Sequence, residues 1–193
     1  MANLTVPTFK AWKRVEVSVD DATILAAIES AEEAIDQHCG RTFAVAGSAT
    51  ARVFRAPNDR TSVLDIFDCT SVTLVSDNGS TVSASNYQLE PLNGLSAHGE
   101  AVPYTAIRLL GGGLWSYEYD KATISITATW GWASLPARYT EAVKILTAVI
   151  LDNRDMRNGI VGFTDYAGIR VRENSVVTSL LSKLVRARTF GVA

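Results

Sequence analysis

His38 and Cys39 stand side by side near the end of one continuous stretch, Asp20 to Phe43, DDATILAAIESAEEAIDQHCGRTF. A histidine and a thiol are the parts of a nucleophilic dyad or, with a carboxylate, of a zinc site. The spacing argues against both. Neighbours on a helix point about 100° apart, so base and thiol would not face each other. Cys39 and Cys69 are the only cysteines, no C-x-x-C is present, and His98 sits in an unrelated loop. Neither a zinc knuckle nor a disulfide framework is expected. The tip reads as a helix stop: Gly40 supplies the left-handed residue, His38 suits the negative helix end, and Cys39 packs as a small hydrophobe.

The remaining candidates for chemistry thin out in the same way. Gly111-Gly112-Gly113-Leu114-Trp115 is not followed by Lys-Ser/Thr, so it is a turn rather than a phosphate loop, and no G-x-S-x-G occurs. Asp65 and Asp68 read as a loop rim. Asp152 and Asp155, with Arg154 and Arg157, read as a solvated helix face. Trp115, Tyr117, Tyr119, Trp130 and Trp132 cluster late in a β-rich region. They are the core and edge of a sheet or, alternatively, a platform on which sugars or bases stack. No basic stripe accompanies them, which weighs against nucleic acid. The sequence points to no catalytic residue, no metal and no cofactor, and to a protein that is not an enzyme.

The elements that would position these residues follow from periodicity. Ile24, Ile28, Ala31 and Ile35 recur at helical spacing over about 20–39, with Glu29, Glu33 and Asp36 on the opposite face. From about residue 44 to 132 the period becomes two. Strands are expected at Ala49–Ala56, Val72–Ser76, Thr81–Ser83, Tyr87–Glu90, Thr105–Leu110 and Ala122–Trp130, with Asp77-Asn78-Gly79-Ser80 as a hairpin turn. Ser134-Leu135-Pro136 opens a second helix, about 136–157, whose apolar face is Tyr139, Ala142, Val143, Leu146, Val149, Ile150 and Asn153, with Asn158-Gly159 as its stop. After a glycine-containing connection with a short hairpin at Ile169–Arg172, Asn174 or Ser175 caps a third helix, about 175–188. Its stripe is Val176, Val177, Leu180, Leu181, Leu184 and Val185. The expected fold class is α+β: a helical hairpin or bundle core, a β-rich antiparallel insertion between the first and second long helices, and a C-terminal helix, all as one domain of 193 residues.

Charge is uneven along the chain. Residues 1–136 carry nine Lys/Arg against fifteen Asp/Glu, and residues 137–193 nine against five. An acidic front and a basic tail suit head-to-tail self-association or an acidic partner. Arg170, Arg172, Lys183, Arg186 and Arg188, with the short apolar tail holding Phe190, are candidates for such a contact. No apolar run approaches the ~20 residues of a membrane span. Met1-Ala2-Asn3-Leu4 lacks a basic start and an apolar core, so the expectation is a soluble chain made in a cytoplasm.

Several segments, taken in order, resemble the head-to-tail adaptor (head–tail connector) proteins of tailed phages. They are Val17-Ser18-Val19-Asp20-Asp21 opening the first helix, Cys39-Gly40-Arg41-Thr42 closing it, Ala128-Thr129-Trp130-Gly131-Trp132, Leu135-Pro136 entering the second long helix, and Leu151-Asp152-Asn153-Arg154-Asp155 near its end. The resemblance spans roughly Val15 to Leu184; the β insert is longer here than in the smallest members. It implies a structural protein of the virion neck, one subunit of a commonly twelve-fold ring beneath the portal protein. Such a ring extends the DNA channel, lets double-stranded DNA pass without sequence-specific binding, and meets a head–tail stopper or tail-terminator protein, with no membrane involved. It further implies that Arg170, Arg172, Leu180, Leu181, Lys183, Leu184, Arg186, Arg188 and Phe190 contact the portal or a neighbouring subunit, and that Glu29, Glu33 and Asp36 face the channel. The rival expectation is a virion-surface module binding carbohydrate or protein through Trp115 and Trp132.

Overall fold

The computed structural model describes residues 3–13, 20–56, 61–96, 99–119, 121–157, 171 and 174–186. Among these the chain is α+β, with four α-helices and a six-stranded, wholly antiparallel sheet. It divides into two compact units: the described residues of Met1–Thr42 and Leu135–Ala187 form a helical one, and those of Phe43–Ser134 a β one.

The helical unit is built from α1 (Val6–Lys13), α2 (Asp21–Cys39), α3 (Ala137–Arg157) and α4 (Ser175–Leu181). α3 packs against both α2 and α4. Ile24, Ala27, Ile28, Ala31 and Ile35 of α2 are buried, as their spacing predicts. Each isoleucine among them contributes roughly 1.5–3 kcal/mol on burial. On α3 the buried face is Tyr139, Ala142, Val143, Leu146, Thr147 and Leu151. It is rotated from the expected stripe, for Asn153 is exposed and Val149 and Ile150 are half-buried. Thr147 joins the apolar side because its hydroxyl donates to the Val143 carbonyl at 2.7 Å, which satisfies it within the helix.

α1 is an element that the periodicity missed. Two turns with one buried residue, Phe9, leave no repeat to detect. Its position is set by polar clasps instead. Lys10 pairs with Asp21, Lys13 with Asp152, and the Trp12 indole donates to Glu141 at 3.1 Å. Ahead of it, the Asn3 and Leu4 backbone N–H groups donate to the Glu32 carboxylate at 2.8 and 3.0 Å.

The β unit has the strand order β1-β6-β2-β5-β4, with β3 paired to the far end of β2. The strands are β1 (Thr50–Phe54), β2 (Val63–Asp77), β3 (Ser80–Thr81), β4 (Tyr87–Glu90), β5 (Tyr104–Leu109) and β6 (Ile124–Trp130). β2 corrects the expectation most. It runs fifteen residues where only Val72–Ser76 was expected, and it carries Asp65 and Asp68, which had read as a loop rim. Its first half pairs with β5 and its second with β6, with register shifts between Asp65 and Cys69, Cys69 and Ser71, and Val72 and Leu74. A shift of this kind puts neighbours on one side, so Asp68 and Cys69 are both buried and the alternation that marks a strand is lost. β6 shows the unbroken pattern: Ile124, Ile126, Ala128 and Trp130 are buried and join Leu64, Ile66, Val75, Ile107, Leu109 and Trp115 in one core.

Candidate interaction site

The His38-Cys39-Gly40 tip has the geometry of a helix terminus. Gly40 adopts φ 63°, its N–H reaches the Gln37 carbonyl at 3.3 Å, and the Arg41 N–H reaches the Asp36 carbonyl at 3.2 Å. This is the paired closure that a left-handed glycine makes possible. The next free carbonyl, that of Cys39, accepts from the Arg186 backbone N–H at 2.8 Å. Cys39 and Cys69 are buried in different units. No cluster of three His, Cys, Asp or Glu side chains suited to a metal occurs among the described residues.

Burial pushes the Cys39 thiol up to about 11, and burial with the Asp68 carboxylate beside it pushes Cys69 up to about 12. Folded thiols therefore hold their protons where unfolded thiols, at their ordinary ~8.5, have lost them. The stability this supplies is fully present below that ordinary value and is lost as pH rises through about 11 to 12. We expect denaturant midpoints to fall on the alkaline side of pH 9, and neither cysteine to react with a thiol-labelling disulfide at pH 8 until the chain is denatured. Stoichiometric labelling of the native protein at free-thiol rates would show that the burial is wrong.

The first candidate surface is the polar face of α2. Glu29 and Glu33 are exposed and Asp36 is half-buried, so all three reach solvent from one side of the helix. Gln37 donates to Glu33 at 3.1 Å, which holds part of that face in place.

The second is the C-terminal helix, and it differs from its expected form. α4 ends at Leu181, not near Arg188. The Leu184 and Val185 N–H groups both turn back to the Leu181 carbonyl, at 2.7 and 3.2 Å, and the chain then leaves helical geometry to reach Cys39. Asn174 caps the start: its side chain accepts from the Val177 N–H at 3.1 Å. Replacing it by alanine should cost about 1 kcal/mol of stability, read as a lower melting temperature with unchanged spectra. Leu181 and Leu184, expected at a partner interface, are spent inside the unit, 0% and 5% exposed. Leu180 is half-buried, Lys183 and Val176 are exposed, and Arg186 is half-buried. Arg170, Arg172, Arg188, Phe190, His98 and the expected Asn158-Gly159 stop lie outside the described residues, as does the expected hairpin apart from Val171.

The tryptophans of the β unit are not a binding platform. Trp115 and Trp132 are 4% and 2% exposed, and their indole N–H groups donate to the Ser62 carbonyl and to Asp68, both at 3.1 Å. Trp130 is buried and donates to the Thr50 carbonyl at 2.8 Å. A ring that is enclosed and already bonded cannot stack on a sugar, so the carbohydrate reading loses the residues it named. Trp132 anchors a local knot instead. It stacks on Phe43 with ring centroids 5.3 Å apart, and its backbone exchanges bonds with Ala44 and Ala46 at 2.8 Å each. Gly131 lies at the centre, its N–H on the Asp68 carbonyl at 2.7 Å.

A surface that the periodicity did not reveal lies along β1. Arg52 sits over the rings of Phe67 and Trp130, 5.0 and 4.7 Å from their centroids, and Phe54 touches both rings. On the other side of the strand Val53 is 70% exposed. Phe67 comes from β2, two strands from β1, so only the three-dimensional register brings these residues together.

No family model matches the chain, and no curated protein does. Solved structures do. A chain from the neck of an empty gene transfer agent particle, computed with C6 symmetry, superposes with a TM-score of 0.59 at 18% identity, over 97% of this chain and 92% of that one. A chain from the virion of the native gene transfer agent particle gives 0.57 at 20% identity over the same shares. One from the neck of the native particle, computed with C12 symmetry, gives 0.53 at 18% identity, over 89% and 86%. At these identities the likeness is one of fold, and it takes in both the helical and the β unit.

Proposed function

We propose that the protein is a structural, non-enzymatic subunit of the neck of a phage-like particle: a head-to-tail adaptor that forms a ring under the portal protein and joins it to the next neck or tail protein. The observation that carries this reading is the likeness of fold, over nearly the full length of both chains, to chains from the neck and virion of gene transfer agent particles. The order of motifs from Asp20 to Asp155 supports it independently. In this reading α2 and α3 form the hairpin that serves as the scaffold of a single adaptor domain. The polar face of Glu29, Glu33 and Asp36 lines a channel whose negative charge keeps DNA from sticking. The portal or a neighbouring subunit meets the basic C-terminal region, at Leu180, Lys183 and Arg186 and at Arg170, Arg172, Arg188 and Phe190. A ring needs a heterologous interface, in which two different surfaces of the subunit meet, and the charge asymmetry of the chain suits one.

The test is electron microscopy of the full-length chain mixed with the portal protein of the same particle. We expect a ring of subunits on one face of the portal, and loss of that ring on Lys183→Glu with Arg186→Glu while the variant stays folded. A chain that remains single beside the portal, or that is missing from purified particles, would sink the reading.

A further inference from the structure

The chain carries three Asn-Gly pairs, Asn78-Gly79, Asn93-Gly94 and Asn158-Gly159, the last outside the described residues. An asparagine before a glycine can react with its own backbone, because no Cβ keeps the glycine nitrogen from the asparagine Cγ. The two described pairs share this chemistry and differ in their surroundings. Asn93-Gly94 is locked. The Gly94 N–H donates to the Pro91 carbonyl at 3.0 Å, and the Gly94 carbonyl accepts from the Val102 N–H at 2.8 Å. Its Cβ position lies 3.3 Å from the Val102 carbonyl oxygen, so the backbone there is pressed on a second segment. Asn78-Gly79 is open. Both residues are exposed, nothing lies within 4 Å of the Gly79 Cβ position, and the Gly79 N–H makes no hydrogen bond among the described residues. Their φ values of 47° and 81° make the mirror-image turn of a tight hairpin. That turn must open before the two atoms meet, since Asn78 has to rotate about its Cα–C bond. The strand beyond it resists little: β3 is only Ser80 and Thr81, both exposed, paired with Asp77 and Ser76. The Asn78 N–H is anchored to the Thr123 carbonyl at 2.9 Å, but the rotation falls on the other side of its Cα. One side-chain clasp holds the pair shut: the Asn78 amide donates to the Glu118 carboxylate, which also takes Lys121 at 2.8 Å.

We propose that Asn78 is a self-modification site of the native chain, and that its conversion to an acid unclasps the loop carrying Glu118. Hydroxide takes the proton of the Gly79 nitrogen, which attacks Asn78 Cγ. The N–Cγ bond forms, the Cγ–Nδ2 bond breaks, and Nδ2 leaves as ammonia with a proton from water, which returns the hydroxide. A second water opens the cyclic imide at either carbonyl and gives aspartate or a β-linked isoaspartate. The sequence needs only water and hydroxide. Either product sets a carboxylate where the amide donated to Glu118, and like charges in contact repel. Ser116 stays tied, its N–H on the Asp77 carboxylate at 3.0 Å. The loosening therefore falls on the stretch after it, where Tyr117 and Tyr119 are exposed. The site does not depend on the ring.

The full-length chain, held folded in mildly alkaline buffer, makes the test. Peptide mass spectrometry follows amide loss at each asparagine, with a parallel sample held in denaturant. In denaturant Asn78 and Asn93 are expected to react at matching rates, since each precedes a glycine. In the folded chain Asn78 should lose its amide several-fold faster than Asn93, and Glu118→Ala should speed the loss at Asn78 alone. Equal rates in the folded chain, or faster loss at Asn93, overturn the site; an unchanged rate in Glu118→Ala overturns the clasp. The consequence is tested separately, without waiting for the slow chemistry. Chymotrypsin should cut folded Asn78→Asp after Tyr117 or Tyr119 several-fold faster than it cuts the wild type, with the unfolding midpoint unchanged. Equal cleavage of the two chains, or faster cleavage spread over the whole variant, overturns the unclasping.

Discussion

Alanine at Gly131 is expected to destabilise the β unit by several kcal/mol and to lower its melting temperature far more than any surface change. Gly131 has φ 116°, a conformation that L side chains rarely adopt. A Cβ there would lie 2.6 Å from the Ala44 carbonyl oxygen and 3.1 Å from the Ala46 nitrogen and Cα. All three are backbone atoms, so no rotamer change relieves the clash. Segment 44–46 would have to pull away from Trp132, breaking the two 2.8 Å bonds between them. Backbone strain of about 1–3 kcal/mol and overpacking of about 1–3 kcal/mol act together, against a typical total stability of about 5–15 kcal/mol. Trp115, Trp130 and Trp132 belong to this unit and only Trp12 to the helical one, so tryptophan fluorescence of a Trp12→Phe background during denaturant unfolding reads the β unit directly. Gly47→Ala is the control: nothing lies within 4 Å of its Cβ position and its φ is ordinary, so its effect should stay within about 0.5 kcal/mol. Equal midpoints for the two variants would show that the 44–46 segment does not press on Gly131.

That glycine also shows how far the sequence can be read. Trp130-Gly131-Trp132 stands out as a motif, yet spacing alone could not say that its outer residues are enclosed or that its centre is a close approach of two backbones. Where one rule acts alone, the sequence is sufficient. The α2 stripe, its Gly40 stop, the Asn174 cap and the alternation of β6 each follow from a single local pattern, and each is found in place. The failures occur where tertiary pairing overrides pattern. β2 hides its first half because its register shifts bury Asp68 beside Cys69. α1 is held by ion pairs and a single aromatic, which carry no period. The C-terminal helix stops early because Arg186 has a backbone acceptor waiting at the end of α2. The surface of β1 is invisible for the same reason: Arg52, Phe67 and Trp130 are brought together by strand order, not by separation along the chain.

The C-terminal helix allows a sharp separation between side chains that hold the fold and side chains left for a partner. Leu181 is fully buried within the helical unit, where α4 packs against α3, and Val177 and Leu184 share its burial. Leu181→Ala should cost about 2–5 kcal/mol, the lost transfer energy plus a cavity that a seven-residue helix can only partly collapse. That loss should appear as a lower midpoint of the helical signal. Lys183, two residues on, is exposed and lies past the last helical turn. Its reversal to glutamate should change stability by no more than about 0.5 kcal/mol. Under the ring reading, the same reversal should weaken binding to the portal, because it replaces a cation in the basic C-terminal region with an anion. The two variants therefore move different measurements. Leu181→Ala shifts unfolding, and at a temperature where it remains folded it should still bind. Lys183→Glu leaves unfolding alone and loses binding. If Leu181→Ala abolished portal binding while unfolding at the wild-type midpoint, Leu181 would be a contact residue and the buried packing of α4 on α3 would be wrong.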